Sequence, residues 1–323
     1  MLRPTFPRAL AAALLTLCIA PAGAQQGAYP SKTIELVLPA APGGLMDNMA
    51  RTVSRELHRS LGVTIVVRNE SAGSGVVAGH TVASAKPDGY TIGWVQGSQL
   101  TMVPHFVKAP FTIDQFAPVT LLYSGPMLLS VGKEVPASSL KELKEHVAKS
   151  GKAFPIGVSA MGGLAHLTAE LFSAEAGVPT QSVPYRGEAP ILLDMRGGNV
   201  PAAVTTYNAV AQHAEVGAVR ILAVSSEKRL TVLPNVPTFK EAGYPDVVTT
   251  FWHGIVAPAG TPRPIIDKLN QSFANAMASE SVRKMLTDDL LLVNSTPEAF
   301  GEVIRSDDKR WADLIKERGI RQQ

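Results

Sequence analysis

Residues 34–57 combine an apolar run, a loop rich in proline and glycine, and a stretch with helical periodicity. The run Ile-Glu-Leu-Val-Leu at 34–38 is typical of a buried strand, and the loop after it contains Gly43 and Gly44. Apolar residues then recur at the spacing of one helix face, at Met46, Met49, Ala50, Val53 and Leu57. The pattern predicts a strand, a glycine turn and a helix in direct succession.

The same order of elements returns about one domain later. A strand is predicted at 154–158, a glycine turn at Gly162 and Gly163, and a helix over the apolar positions up to Phe172. Further strands are predicted at 63–67, 91–95, 181–184, 200–204 and 219–224, and further helices at 75–85, 191–195 and 265–277. Strands that alternate with helices indicate an α/β protein with mostly parallel sheets.

Two apolar stretches predict where the chain crosses between domains, since chains beyond roughly 250 residues tend to form more than one core. One stretch, 119–131, is interrupted by Gly125-Pro126, and the other is 251–257. We predict that residues 25–124 and 253–323 form domain 1 and that residues 125–252 form domain 2. The apolar stripe of the C-terminal helix, from Phe300 to Leu314, is expected to pack on domain 1.

The first 24 residues have the parts of a secretory signal peptide. Arg3 and Arg8 precede the apolar run 10–20, and Ala22-Gly23-Ala24 gives a small-x-small cleavage pattern. Cleavage after Ala24 would remove the single cysteine, Cys18, and no later run is long enough to span a membrane. We therefore expect a periplasmic protein without disulfides.

The charge pattern argues against nucleic acid as a partner. The formal net charge is +3, two units of which belong to the predicted signal peptide, and no basic run follows. The seven histidines lack the spacing of a metal site, so we expect neither a metal nor a cofactor.

The glycine turn at 43–44 points to an anion site. The first N–H groups of a helix have no partner within it, and the helix dipole adds positive potential there. One helix N-terminus contributes about 0.3–2 kcal/mol to anion binding, whereas micromolar affinity needs about 8 kcal/mol. A site shared by both glycine turns is therefore expected. Asp47 could contact the ligand or could simply cap the N–H groups.

Two other motifs suggest different functions. Residues 73–78 match the G-x-G-x-x-A dinucleotide fingerprint, but no acidic residue ends the next strand. Residues 157–161 resemble a nucleophile elbow around Ser159, with Met161 where a glycine is needed. His166 could lie near Ser159, but the sequence places no carboxylate beside this pair, so a hydrolase is the minor alternative. For His166 itself, a position facing the cleft and a helix-capping or packing role are equal alternatives.

Over the whole mature chain the sequence resembles the Bug family, the extracytoplasmic solute receptors of tripartite tricarboxylate transporters. The motifs that carry the resemblance are P-x-x-P-G-G-x-x-D at 39–47, P-D-G-Y-T at 87–91, H-L-x-x-E-L-F at 166–172, V-P-Y-R-G at 183–187, L-A-V-S-S-x-x-R-x-x-x-L-P-x-V-P-T at 222–238 and A-P-A-G-T-P at 257–262. Their order and spacing make the resemblance specific.

The resemblance implies a type II periplasmic binding protein fold, in which two α/β domains joined by crossover strands close on a small organic carboxylate. The ligand-binding residues that it implies are Ala41, Gly43, Gly44, Asp47, Ser98, Ser159, Gly163, His166, Tyr185 and Thr205. It also implies a monomer that works with membrane permease subunits and catalyses no reaction. Two alternatives stay open: a ligand-sensing partner of a sensor kinase, and a hydrolase that uses Ser159 and His166.

This sequence departs from the usual family pattern at a few of these positions. Ala40-Ala41 replaces a common Phe-Pro, Arg186 replaces a lysine, and Thr205 stands where aspartate is frequent. Whether Arg186 reaches the ligand is left open. The departures bear on which acid is bound and leave the expected binding role unchanged.

Overall fold

The computed structural model describes residues 29–286 and 290–320. The predicted signal peptide, residues 1–24, lies outside the described residues. In chain order the strands are β1 (Ile34–Leu38), β2 (Ile65–Asn69), β3 (Thr91–Gln96), β4 (Phe116–Pro126), β5 (Leu128–Gly132), β6 (Phe154–Val158), β7 (Thr180–Pro184), β8 (Ala202–Thr205), β9 (Val219–Val224), β10 (Thr250–Pro258) and β11 (Leu291–Leu292). The helices are α1 (Leu45–Leu61), α2 (Val76–Ala83), α3 (Leu140–Ser150), α4 (Leu164–Ala176), α5 (Glu188–Arg196), α6 (Tyr207–Glu215), α7 (Arg263–Met277), α8 (Glu280–Arg283) and α9 (Pro297–Arg318).

The strands form two mixed sheets. The first has the order β11-β4-β10-β3-β1-β2, and the second has the order β7-β6-β8-β5-β9. In each sheet three neighbouring strands are parallel, β2-β1-β3 and β7-β6-β8, and the remaining pairs are antiparallel. The parallel triplets are strands that alternate with helices, as the sequence pattern predicts. The prediction of mostly parallel sheets is nevertheless wrong, because five of the nine strand pairs in the described part of the chain are antiparallel, and each of these five involves β4, β5 or β10, the strands at the crossings between the sheets.

The chain crosses between the sheets at two adjacent places. β4 ends at Pro126 and β5 begins at Leu128, and the chain returns where Thr250 of β10 pairs with Pro126. The crossings therefore lie within two residues of the predicted boundaries at 124/125 and 252/253, and we retain that division as a proposal. Adjacent crossings allow the two sheets to move about one common line.

Helices cover both faces of each sheet, so each sheet has two apolar clusters. The first sheet is flanked by one cluster that contains Met49 and Trp94 and by another that contains Phe111 and Phe300. The second sheet has a large cluster on the face of α3 and α4 and a smaller one on the face of α5 and α6. This arrangement leaves the loops at the ends of the strands to form the space between the sheets.

The C-terminal helix packs differently from the prediction. Phe300 and Ile304 of α9 join a cluster of the first sheet, as expected, but Trp311 and Ile315 join the large cluster of the second sheet. Its 22 residues span about 33 Å, long enough to reach beyond the first sheet. Arg310 of the same helix donates a hydrogen bond to the Val248 carbonyl at 2.8 Å.

Candidate functional site

The first glycine turn lies between β1 and α1. Gly43 has φ +86°, a left-handed conformation that suits glycine, and Gly44 is the residue before the first turn of α1. No side chain caps this end of α1. The N–H groups of its first turn therefore have no partner within the helix.

Asp47 stabilises the first glycine turn through hydrogen bonds to its buried carboxylate. Its Oδ2 accepts hydrogen bonds from the Gly43 N–H and from Arg51 Nε, each at 2.9 Å, and its Oδ1 accepts one from Asn69 Nδ2 at 2.9 Å. The hydrogen bond from Arg51, followed by that from Gly43, lowers the pKa of Asp47 to about 2. The carboxylate is 2% exposed. Asp47 thus fastens the loop to α1 and to the end of β2.

The second glycine turn joins β6 to α4. Gly162 has φ +74°, Gly163 precedes the first turn of α4, and no side chain caps this helix end. The Gly162 N–H donates to His166 Nδ1 at 3.0 Å, so the imidazole proton is on Nε2, which lies 3.5 Å from Glu170 Oε1. Of the two uses that the sequence leaves open for His166, the capping and packing one is what the structure shows.

A cavity of about 1040 Å³ lies between the two sheets, and both turns open onto it. Four of the ten predicted ligand-binding residues line it: Gly44, Ser98, Ser159 and Gly163. Ser98 begins a wide helical turn, Ser98–Met102, which follows β3. The cavity therefore includes the N-termini of α1 and α4, as the expectation of a shared site requires.

The other six predicted residues lie behind or beside the lining: Ala41, Gly43, Asp47, His166, Tyr185 and Thr205. The Tyr185 hydroxyl donates to Asp194 Oδ2 at 2.8 Å, and Thr205 is fully buried. Arg186 is exposed and is not part of the lining. A direct ligand contact for these six residues stays a prediction.

The N-termini of α5 and α6 also face the cavity, and α6 was not found from the sequence. Thr206 precedes α6, and its N–H and hydroxyl donate to Glu188 Oε1 at 2.7 Å and to Oε2 at 2.8 Å. Both residues line the cavity. The sequence does offer one signal, since threonine is a common residue at a helix start. The apolar stripe of α6 is short and consists largely of alanine, with Val210 buried and Tyr207 and Ala214 packed beside it.

The walls of the cavity are largely apolar. Aromatic side chains contribute Phe106, Tyr123, Phe251 and Trp252, and methionines contribute Met46, Met49, Met102, Met127 and Met161. From the sequence, Met46 and Met49 were expected in the core. Met49 is indeed 1% exposed, yet both side chains also line the cavity.

The charged groups of the lining are acidic. Burial raises the pKa of Glu188, and the hydrogen bonds from Thr206 oppose this shift. Burial also raises the pKa of Asp307, whose Oδ2 accepts a hydrogen bond from Trp252 Nε1. No lysine or arginine is among the described residues that line the cavity.

His253 lies in the wall and is neutral. Its Nδ1 accepts a hydrogen bond from Trp94 Nε1 at 3.2 Å, and its ring stacks on Tyr123 with the ring centroids 4.7 Å apart. Burial lowers the pKa of His253 to about 3. It therefore presents a neutral imidazole to the cavity at physiological pH.

The structure does not bring Ser159 and His166 together as a hydrolytic pair. Ser159 lines the cavity, but His166 Nδ1 is engaged with Gly162, and within residues 29–286 and 290–320 no hydrogen bond joins Ser159 to His166.

Residues 29–286 and 290–320 contain no group of three His, Cys, Asp or Glu side chains placed to hold a metal ion. They also include no helix long and apolar enough to cross a membrane.

Comparisons with known proteins cover almost the whole described chain. The model of a tripartite tricarboxylate transporter family receptor matches residues 49–320. Protein BugT of Bordetella pertussis is 32% identical over 300 residues, which are 91% of this chain and 91% of that protein. The likeness therefore extends over both sheets.

Two solved structures show the same architecture. Periplasmic binding protein BugD matches with a TM-score of 0.76 and 31% identity, over 91% of this chain and 100% of that one. Rpa4515 of R. palustris, solved with adipate, matches with a TM-score of 0.78 and 31% identity, over 91% of this chain and 99% of that one. The predicted fold class, a two-domain periplasmic binding protein fold, is confirmed.

Proposed function

The chain belongs to the tripartite tricarboxylate transporter receptor family, and we propose that it is a receptor which captures a small organic carboxylate between its two sheets. The observation that carries the proposal is that Gly44 and Gly163, each at the start of a helix, line one cavity. Two helix N-termini contribute about twice as much to the binding of one carboxylate as a single one does, and hydrogen bonds in a closed site must add the rest.

The proposed binding needs closure of the two domains. Charge-assisted hydrogen bonds contribute about 1.5–3 kcal/mol each when water is kept away from them. Sheets that meet at adjacent crossings could close on the ligand, and the ligand would favour the closed form by binding it more tightly than the open one. Relatives of known structure support the ligand class, since Rpa4515 was solved with adipate and MatC of Rhodopseudomonas palustris with malate.

A thermal-shift screen of the purified mature protein tests the proposal. Adipate, malate, citrate, hexanoate and 4-methylbenzoate would be added over a range of concentrations. An acid at a hundred times its dissociation constant adds about 2.7 kcal/mol of stability and raises the melting temperature by several degrees. If no organic acid shifts the melting of the folded protein, the receptor proposal is wrong.

We propose further that binding is not followed by a reaction. The sequence offers His166 as the base for Ser159, but its Nδ1 accepts a hydrogen bond from the Gly162 N–H, and no hydrogen bond among the described residues joins it to Ser159. Incubation of the protein with the ethyl ester of the bound acid should release no more acid than buffer does. Hydrolysis that disappears in Ser159→Ala would instead establish the hydrolase.

The proposed location is the periplasm, and the proposed partner is a tripartite-type membrane permease. Export should yield a monomeric protein whose N-terminus is Gln25, as checked by N-terminal sequencing and size-exclusion chromatography with light scattering. Deletion of the gene should abolish uptake of the identified acid, and undiminished uptake would exclude the transport role.

A further inference from the structure

Among the described residues, four α-helix N-termini face the cavity, and Glu188 places a carboxylate of the protein itself beside two of them, that of α5, which it begins, and that of α6. Both of its oxygens accept hydrogen bonds from Thr206, which precedes α6. A helix N-terminus favours an anion because its N–H groups have no partner within the helix and its dipole is positive at that end. Here the anion is already built into the chain, so a ligand carboxylate at this end would meet negative charge.

The other two helix N-termini, those of α1 and α4, present no acid to the cavity, because Asp47 in the first turn of α1 is paired with Arg51 and lies outside the lining, and α4 has no acid in its first turn. The residues before α1 and α4 are Gly44 and Gly163, and no side chain caps either helix. Asp47 accepts a hydrogen bond from the Gly43 N–H, and His166 accepts one from the Gly162 N–H. Neither of these two side chains lines the cavity. The cavity thus has one region that donates hydrogen bonds to an anion and another region that accepts them.

The rest of the lining offers no cation to a second ligand carboxylate, and its neutral side-chain donors include Gln96, Ser98, Asn208 and Thr250. Its described residues include no lysine or arginine, its second acid is Asp307, and His253 is neutral. A carboxylate buried without a cation is costly, and one beside another carboxylate more so. The methionine and aromatic walls instead suit a hydrocarbon body.

Glu188 can still receive a ligand group. A carboxylate has about four acceptor positions, and the two hydrogen bonds from Thr206 occupy two of them. The side chain is partly exposed, and it faces the cavity. A ligand amine there would satisfy an acceptor position and would offset the cost of burying the charge.

We propose that this receptor selects monocarboxylates which have an apolar body and, at the far end, an amine that binds Glu188, and that it discriminates against dicarboxylates. The specificity rests on the proposed function, because it takes for granted that one ligand carboxylate binds at α1 and α4. Glu188 is then the residue that decides what the far end of the ligand carries.

Two matched ligand series test the selection. Hexanoate, adipate and 6-aminohexanoate differ only at the far end of a flexible chain, and 4-methylbenzoate, terephthalate and 4-(aminomethyl)benzoate differ in the same way on a rigid ring. Isothermal titration calorimetry on the wild-type protein should show, in at least one series, that affinity decreases from the amine to the methyl compound and from the methyl compound to the dicarboxylate. We expect the amine to bind at least tenfold more tightly than the dicarboxylate.

Glu188→Gln keeps the shape of the side chain and removes its charge. In this variant the ratio of the affinity for the amine to the affinity for the methyl compound should fall at least fivefold. The dicarboxylate should bind more tightly to the variant than to the wild type. Glu134→Gln, on an exposed side chain beside Lys133, changes the net charge equally and should leave the order unchanged. Circular dichroism checks that each variant is folded.

The outcomes separate this specificity from the receptor role. If a dicarboxylate binds most tightly and Glu188→Gln leaves the order as it was, the specificity is wrong and the receptor proposal stands. If none of the six acids binds the folded wild-type protein and the wider acid screen also fails, both are wrong.

Discussion

The backbone N–H of Gly162 donates a hydrogen bond to Nδ1 of His166, four residues further along the chain, at 3.0 Å. Gly43 makes the same bond, over the same separation, to the carboxylate of Asp47 at 2.9 Å. The two glycine turns are therefore equivalent in their backbone geometry although the side chains that hold them differ. In each turn the acceptor satisfies the glycine N–H, and in the second turn the Gly163 N–H also donates, to the Ala160 carbonyl at 3.3 Å. The N–H groups without a partner within the helix are those of the first turns of α1 and α4.

Replacement of Asp47 by alanine should weaken ligand binding by at least tenfold, about 1.4 kcal/mol, because the first turn loses its link to α1 and β2. It should also lower the free energy of unfolding by about 1–3 kcal/mol, since the Gly43 N–H and Asn69 lose their acceptor. Asp47→Asn, which keeps an oxygen acceptor, should lose less of both. Calorimetric titration and urea unfolding measure the two effects, and unchanged affinity in folded Asp47→Ala would remove Asp47 from the site.

Alanine at Gly162 should destabilise the protein more than alanine at Gly43. Both glycines have a positive φ, which costs alanine about 1–2 kcal/mol. At Gly43 nothing lies within 4 Å of an added Cβ, whereas at Gly162 the Phe106 ring would be 2.9 Å away. Urea unfolding gives the free energy of unfolding of each variant, and the difference between the two values is the cost of the contact with Phe106. Equal losses would mean that Phe106 moves away freely.

The strand, glycine turn and helix units could be predicted because apolar periodicity and paired glycines are local signals. The predicted second strand, 63–67, was displaced by two residues from β2, because the apolar run begins before the pairing with β1 does. α6 was missed since only one of its residues is buried. The pairing of Glu188 with Thr206 joins residues 18 positions apart, so it depends on how α5 and α6 meet at the cavity. No local sequence pattern predicts how these two helices are placed relative to each other.

The stability of the protein should fall as the pH drops from about 6.5 towards 3, in part because of His253. The pKa of this side chain is about 3 in the folded protein and ordinarily 6.5, so the unfolded chain binds the proton first. His253→Gln removes the titration. Asp47 titrates alike in both proteins, so between pH 6.5 and 4 the wild type should lose at most about 1.4 kcal/mol of unfolding free energy per pH unit more than this variant does. Parallel pH profiles from urea unfolding would contradict the burial of His253.

Valine at Gly44 or at Gly163 should lower ligand affinity at least tenfold while the protein stays folded. Both glycines have φ values that any residue adopts, −78° and −86°, and an added Cβ would lie 3.9 Å and 3.4 Å from the nearest atom. The branched side chain would stand beside the first turn of α1 or α4, where it would keep a carboxylate from the N–H groups.

The effect should grow with the size of the side chain, so Gly44→Ala should bind with an affinity between those of wild type and Gly44→Val. Calorimetric titration with the acid identified in the screen provides the comparison, and thermal melting checks the fold. If valine weakens binding at Gly44 and has no effect at Gly163, the ligand is held by the first sheet alone. In that case the helix N-terminus of α4 is not part of the site, and the equivalence of the two turns is structural only.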